Sequence, residues 1–315
     1  MRTTVGLRFL YGYMYYDKEP INIDEQLTLL QNRELIIDDI ATAKLQLSNI
    51  SYFRIASYLR HMEQDHLLHI YKSGSTFSQA INLYLFDKEL RQIIFKAVQD
   101  IEISLRTKMI QVFSMEHGAF WFMDSSLFKN ADFFDGCLDT IKKEVSRSNE
   151  DFIKEHSEKY SSPVLPPVWK TLEVVSFGTL SKLFCLFKDN RLKKQVAREF
   201  GLPQYTYLES WIRCITVLRN CCAHHARIWN RRFALKPQLP NRLPLRWITP
   251  TQKPIKLYHQ LCTLLYMEQT ISPCIDLRES LLKLFSAYPN VDLHAMGFPN
   301  GWQDEPLWKM PFTPI

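Results

Sequence analysis

Residues 86–118 read FDKELRQIIFKAVQDIEISLRTKMIQVFSMEHG, and this stretch is the most informative about the fold. Its apolar side chains recur every three or four residues, at Leu90, Ile94, Val98, Ile101, Leu105, Met109 and Val112. That spacing places them on one face of an α-helix, which completes a turn every 3.6 residues. Gly118 is a suitable C-terminal stop. The stretch predicts one long helix with a buried stripe and indicates an all-α fold.

Helical patterns continue on both sides of this stretch. Asn22 and Glu25 form a capping-box pattern at the start of the first helix. Helices are predicted over residues 24–32, 38–47, 51–63, 168–177, 179–187, 207–224, 255–270 and 277–285, with Gly178 as a break or bend between two of them. Five prolines within residues 237–254 exclude a regular helix there. Strand signals are weak throughout, and residues 288–315 are expected to be an irregular tail packed on the body.

Composition excludes several classes of protein. The chain has 315 residues, of which 46% are hydrophobic, so it can bury a sizeable core and is not intrinsically disordered. No run approaches the roughly 20 apolar residues of a membrane span, and a secretory signal is not expected. The seven cysteines lack a C-x-x-C pair. We therefore predict reduced thiols and a cytoplasmic protein.

Charge is distributed unevenly along the chain. The formal net charge is only +6, but residues 210–267 contain ten basic residues and no acidic one. An acid-free window of this length is typical of a surface that meets polyanions such as nucleic acid. It is also compatible with a helix-rich core segment that merely lacks carboxylates. On the long helix, Glu102 and Arg106 are spaced to pair, and a solvated salt bridge is the favoured interpretation over catalysis.

The acid-free window contains the most promising cluster of reactive side chains. P-loop, G-x-G-x-x-G, G-x-S-x-G and H-E-x-x-H motifs are all missing from the chain. A polar stripe runs along the predicted helix through Arg213, Thr216, Asn220 and His224, opposite an apolar face. The neighbouring cysteines and histidines lack the second pair that zinc spacing needs, so no metal site or cofactor is expected.

Arg219 and His224 have the chemistry for RNA cleavage. A histidine can transfer protons near neutral pH, and an arginine can bind the phosphate and stabilise its developing charge. One helix supplies only one of each, so a two-fold homodimer would complete the site. The spacing R-x-x-x-x-H alone is weak, however, and on spacing alone a histidine that interacts with the final helix carbonyls is the favoured explanation.

The residues around this pair resemble a known family. The segment RNCCAHHARIWNR, residues 219–231, resembles the motif of Abi-like abortive-infection proteins (the AbiD/AbiF group) of the HEPN superfamily. Four further blocks are similar, in family order: residues 50–58, residues 86–91, residues 101–107, and Trp169 with residues 173–181. The resemblance covers roughly residues 20–290, leaving residues 1–19 as an extension and 291–315 as a tail.

The resemblance implies a HEPN-type helical bundle that acts as a metal-independent endoribonuclease in anti-phage defence. It implies that Arg219, Asn220 and His224 are catalytic, in a site composed from two copies. Some HEPN toxins are restrained by an RNA or protein antitoxin, so an antitoxin is a candidate partner. Arg227, Arg231 and Arg232 would grip RNA, or would be a solvated helix exit. The alternatives are a non-catalytic RNA-binding or protein-interaction module, with Trp229 stacking on bases, and a metallonuclease with Cys and His ligands. Tyr52, Arg54 and Tyr58 are assigned to the core or to RNA.

Overall fold

The protein is all-α, as predicted. The computed structural model describes residues 19–250, 254–271 and 277–309. Within them lie one two-stranded sheet and twelve α-helices: α1 (Ile23–Asn32), α2 (Ile40–Ile50), α3 (Tyr52–Leu59), α4 (Phe77–His117), α5 (Ala131–Arg147), α6 (Asp151–Lys159), α7 (Val168–Val174), α8 (Phe177–Leu186), α9 (Asn190–Arg198), α10 (Tyr205–Ala223), α11 (Leu257–Glu268) and α12 (Leu277–Ala287). Most of the predicted extension, residues 1–18, lies outside the described residues.

Contacts divide the chain into two compact units, and the boundary falls within α4, after Tyr84. In the first unit α1 packs on α2, and α2 packs on α3. The predicted capping box is confirmed, because the Asn22 and Glu25 side chains each accept a hydrogen bond from the other's backbone N–H, at 3.0 and 2.7 Å. Tyr58 is buried against Tyr84, whereas the Tyr52 hydroxyl accepts a hydrogen bond from Arg33.

A β-hairpin in the first unit was not predicted. The predicted helix 51–63 stops at Leu59, and β1 (Glu63–Asp65) pairs antiparallel with β2 (Ile70–Tyr71). The buried Glu63 carboxylate holds the turn together by pairing with His66 Nδ1 at 2.7 Å and His69 Nδ1 at 3.0 Å. Because these are side-chain contacts within a short turn, they leave no alternating apolar pattern in the sequence.

The second unit is built on α4. The predicted stripe is buried from Leu90 to Met109. Its last member differs, because Val112 is only half-buried and Phe113 completes the stripe instead. Phe113 stacks on Phe187 with 4.1 Å between ring centroids. The predicted stop at Gly118 is confirmed, since Gly118 follows the last helical residue with φ +76°.

Helices α7 and α8 meet differently from the prediction. Gly178 lies inside α8 and is not the break. The first helix ends at Val174, and Ser176 caps the second by accepting a hydrogen bond from the Thr179 backbone N–H. A serine N-cap satisfies backbone groups that would otherwise lack partners at a helix start, so it sets the boundary more strongly than a nearby glycine.

Two buried helices and the tail complete the second unit. Helix α10 packs on α8, α9 and α11, and every residue of α11 is buried. The described part of the tail, up to residue 309, packs on the body as predicted, with Trp302 buried against Phe285 and Trp308 against Tyr258. Among the described residues, no helix combines the length and apolar character of a membrane span. The six described cysteines are free thiols, and Cys274 lies outside the described residues.

Candidate active site at the end of α10

The last turn of α10 and the residues after it form the candidate active site. The predicted helix 207–224 is confirmed to within two residues, with His224 as its C-cap. The His225 N–H donates to the Cys222 carbonyl at 3.1 Å, and the Ala226 N–H donates to the Cys221 carbonyl at 2.8 Å. This pair of bonds is a Schellman motif, which requires a left-handed residue at the position of His225. His225 has φ +56° accordingly.

The predicted polar stripe on α10 is confirmed. Arg213, Asn220 and His224 are exposed, and Thr216 is half-buried. The opposite face is buried through Trp211, Cys214, Ile215, Leu218 and Cys222. The helix therefore has one polar side, and Asn220 and His224, two of the predicted catalytic residues, lie at its C-terminal end.

Arg219 has an open binding position although it is partly buried. Its side chain is 31% exposed, and its Nε lies 3.9 Å from a Glu102 carboxylate oxygen on α4. The guanidinium lies over the Phe95 ring, with Cζ 5.8 Å from the centroid. Its Nε is buried and has no hydrogen-bond partner among the described residues. The buried Nε faces Glu102, and the exposed part of the guanidinium can bind an anion such as phosphate.

The pair of Glu102 and Arg106 differs from the solvated salt bridge that was favoured. The two side chains are only 15% and 9% exposed, and Arg106 Nη2 lies 3.2 Å from the Glu102 carboxylate. Arg106 also donates to the Val175 carbonyl at 3.3 Å. Glu102 therefore lies between two arginines, which holds its charge in place and orients Arg219. The sequence showed the i, i+4 pair but not the partner on α10.

The chain that leaves α10 is attached to α4 by a second buried pair. Asp87 is fully buried, forms an ion pair with Arg91, and accepts hydrogen bonds from the backbone N–H groups of Ile228 and Trp229. Arg91 Nη1 donates a hydrogen bond to the Ala226 carbonyl oxygen at 3.4 Å. Neither residue was among the predicted site residues, although their i, i+4 spacing was visible in the sequence.

The three predicted RNA-binding arginines lie on the exit segment, which is the stretch of residues 225–232 directly after the C-cap of α10. Arg227 and Arg231 are half-buried, and Arg232 is exposed. Lys256, at the start of α11, joins them: burial and the positive charges of Arg232 and Arg227 lower its pKa. Its ammonium donates to the Asn230 side chain at 2.5 Å. Lys256 was missed as a site residue because it lies far along the chain, although it belongs to the acid-free window.

The structure does not favour two of the alternative interpretations. Burial raises the pKa of the Cys222 thiol to about 12 and raises that of Cys221, which disfavours the thiolates that bind metals. Among residues that the structure describes, no group of three or more His, Cys, Asp or Glu side chains is placed to hold a metal ion. Trp229 is buried and donates to the Asp292 carbonyl at 3.1 Å, so it is not available for stacking on bases.

The fold and this site define an all-α protein with a basic, arginine- and histidine-containing helix end. Comparison with family models gives a match to the Abi-like protein family over residues 45–230. The chain therefore belongs to the Abi-like protein family, whose description indicates abortive-infection defence. No curated protein matches the chain. No solved structure matches it either.

Proposed function

We propose that this protein is a metal-independent endoribonuclease of the HEPN type that acts in abortive infection. The observation that carries the proposal is the Arg219 guanidinium. It is oriented by Glu102 but remains partly exposed, and it lies in the last turn before the exposed His224. A phosphate-binding arginine followed by an accessible imidazole is the pair that RNA transesterification needs.

The chemistry needs two proton transfers and one anion-stabilising group. A base removes the proton from a ribose 2′-hydroxyl, whose oxygen attacks the adjacent phosphorus. The bond to the 5′-oxygen breaks, and an acid protonates that leaving oxygen. The products are a 2′,3′-cyclic phosphate and a 5′-hydroxyl, so atoms and charge balance without a metal. Arg219 would hold the phosphate and stabilise its added negative charge, while Asn220 would orient the site.

A homodimer would supply the two proton-transfer groups. The chain contains a single R-x-x-x-x-H sequence, and its exposed polar side includes Asn220 and His224. Two copies related by two-fold symmetry would bring two such ends together, so that one His224 acts as base and the other as acid. Chains that carry His224→Ala would then lower the activity of wild-type chains when mixed with them, because each mixed dimer holds only one His224.

RNA would be held along the segment that leaves α10. Arg227, Arg231, Arg232 and Lys256 bring positive charge to one region, where repulsion between cations is relieved when phosphates bind. DNA could bind the same charges, but it lacks the 2′-hydroxyl nucleophile. We therefore expect DNA binding without DNA cleavage.

The test is an RNA cleavage assay in EDTA with wild type, Arg219→Ala, His224→Ala and, as a matched control on the same helix face, Arg213→Ala. Wild type and the control are expected to cut RNA and leave cyclic-phosphate ends. The two site variants are expected to lose at least about 100-fold in rate while keeping their fold. If His224→Ala cleaves as fast as wild type, the proposal is wrong. RNA binding by all four proteins with no cleavage would support a binding module instead.

In cells, such a nuclease would arrest growth by cutting RNA and would have to be restrained until infection. We expect induced expression of the wild type to stop growth, and His224→Ala to be tolerated at equal protein levels. An RNA or protein antitoxin would appear as a co-purifying component whose removal raises cleavage. Equal toxicity of the two proteins would mean that growth arrest does not depend on His224.

A further inference from the structure

Asp87 on α4 provides a buried acceptor for the segment after α10. Its side chain is 0% exposed, yet its oxygens accept hydrogen bonds from Trp229 N at 2.7 Å and from Ile228 N at 3.2 Å. These two N–H groups belong to an irregular turn and have no helical partner. A buried backbone N–H without an acceptor costs about 1–3 kcal/mol, so a charged acceptor at this place determines the path of the turn.

Arg91 completes the attachment from one turn further along α4. It forms an ion pair with Asp87, and its Nη1 lies 3.4 Å from the Ala226 carbonyl oxygen. The pair therefore holds the exit segment through both a carbonyl and two N–H groups. His224 and His225 lie between two constraints, which are the Schellman bonds of α10 on one side and this pair on the other.

We propose that Asp87 and Arg91 are positioning residues that fix the direction in which the chain leaves α10 and thereby hold His224 in its reactive place. The inference rests on the proposed function for its catalytic consequence, but not for its structural one. Two apolar side chains would fill the same space, and a buried ion pair adds little net stability over them. They could not, however, hold the backbone of Ala226, Ile228 and Trp229 in this arrangement.

The test uses Asp87→Asn and Arg91→Lys in the full chain. Asn keeps the shape of Asp87 but offers one acceptor oxygen, and Lys keeps the charge of Arg91 but lacks its planar fork. For Asp87→Asn we expect kcat for RNA to fall about 10–100-fold, because small displacements of a catalytic group reduce rates by this amount. The dissociation constant for RNA should rise by a smaller factor than kcat falls, since Arg219 and Lys256 stay in place even where the arginines after α10 shift. Arg91→Lys is expected to show a smaller loss of kcat.

Glu209→Gln is the matched control. Glu209 pairs with the fully buried Lys193 at the opposite end of α10, so its substitution also breaks an ion pair with a buried partner but leaves the exit segment untouched. We expect it to lower stability and to leave kcat unchanged. Equal kcat in Asp87→Asn and wild type, with only a loss of stability, would overturn the inference.

A second measurement does not depend on cleavage. NMR of the imidazole groups identifies the His224 signal by its loss in His224→Gln. We expect this signal to move or broaden in Asp87→Asn and to stay in Glu209→Gln. If wild type shows no nuclease activity but the signal moves, the proposed function fails and the positioning role stands. If Asp87→Asn does not fold, Asp87→Glu, which keeps the charge and shifts it by one methylene, replaces it in both measurements.

Discussion

At each end of α10 a cation pairs with a glutamate, but the two cations differ in their exposure to solvent. At the start of the helix, the Lys193 ammonium is fully buried and pairs with Glu209. It also donates to the Phe187 carbonyl at 3.3 Å and lies 4.8 Å from the Tyr205 ring centroid. At the other end, Arg219 is 31% exposed, and its Nε has no hydrogen-bond partner among the described residues.

The difference in exposure distinguishes a buried cation that stabilises the core from a cation that can bind a ligand. All the attractions of Lys193 are internal, and burial lowers its pKa while Glu209 opposes that shift. Such a group can affect stability but has no means of contacting substrate. Arg219 is oriented by Glu102 without being saturated, which is the condition for preorganised binding of an anion. The comparison therefore predicts effects on activity at one end and on stability at the other.

The largest effect is expected from Arg219→Lys. Lysine keeps the charge but cannot present two parallel donors to a phosphate, so RNA cleavage should fall by about 100–1,000-fold. Arg213→Lys, six residues earlier on the same helix, should cleave within about twofold of wild type, because Arg213 contacts the Cys185 sulfur and not the site. Cleavage rates at saturating RNA measure both. Similar losses in the two variants would remove the distinction between the regions.

Lys193→Met should produce the reverse result. It removes the cation from a buried pair and leaves Glu209 and two carbonyls without their partner, so the free energy of unfolding should fall by about 3 kcal/mol. The cleavage rate per folded molecule should not change. Urea unfolding and active-site-normalised rates test the two parts separately. A loss of activity without a loss of stability would contradict the assignment of this pair to the core.

The sequence predicted the parts of this architecture that depend on local periodicity. The stripe from Leu90 to Met109, the stop at Gly118 and the extent of α10 all follow from spacing along one helix, and the structure confirms them. The boundary between α7 and α8 was placed wrongly at Gly178, because the Ser176 cap competes with glycine as a signal. The hairpin at Glu63 was not predicted, because side-chain contacts of Glu63 hold it together and such contacts leave no periodic pattern in the sequence.

The site depended on contacts that no local pattern records. Residues 210–267 lack acidic residues in sequence, but Asp87 and Glu102 on α4 bring carboxylates to them in space. A charge window therefore overstates the free positive charge at its centre. The sequence also understated the positive charge near Arg227 and Arg232, because Lys256 comes close to them only in the folded chain. The assignment of Arg219, Asn220 and His224 to catalysis stays a prediction that the assays above test.

Lys256→Gln sharpens the comparison with a smaller effect. Removing one cation from the group with Arg227 and Arg232 should weaken RNA binding by about 3–10-fold and reduce the salt dependence by about one phosphate contact. Lys236→Gln is the control, because Lys236 is exposed in the same acid-free window and forms no part of this group. Binding titrations at several salt concentrations measure both terms. Equal losses in both variants would mean that net charge, and not this group, determines affinity.

The smallest effect concerns His225, which has a left-handed conformation just after the end of α10. At the end of α4 the left-handed residue is Gly118. A left-handed conformation costs a non-glycine residue roughly 1–2 kcal/mol, and His225→Gly would remove that strain. Glycine is also more flexible in the unfolded chain, which offsets part of that gain. We therefore expect a net gain of about 0.5 kcal/mol in the free energy of unfolding, measured by urea denaturation, with RNA cleavage retained because His224 transfers the protons. A stabilised variant that no longer cleaves RNA would show that the strain is kept for catalysis and that both histidines belong to the active site.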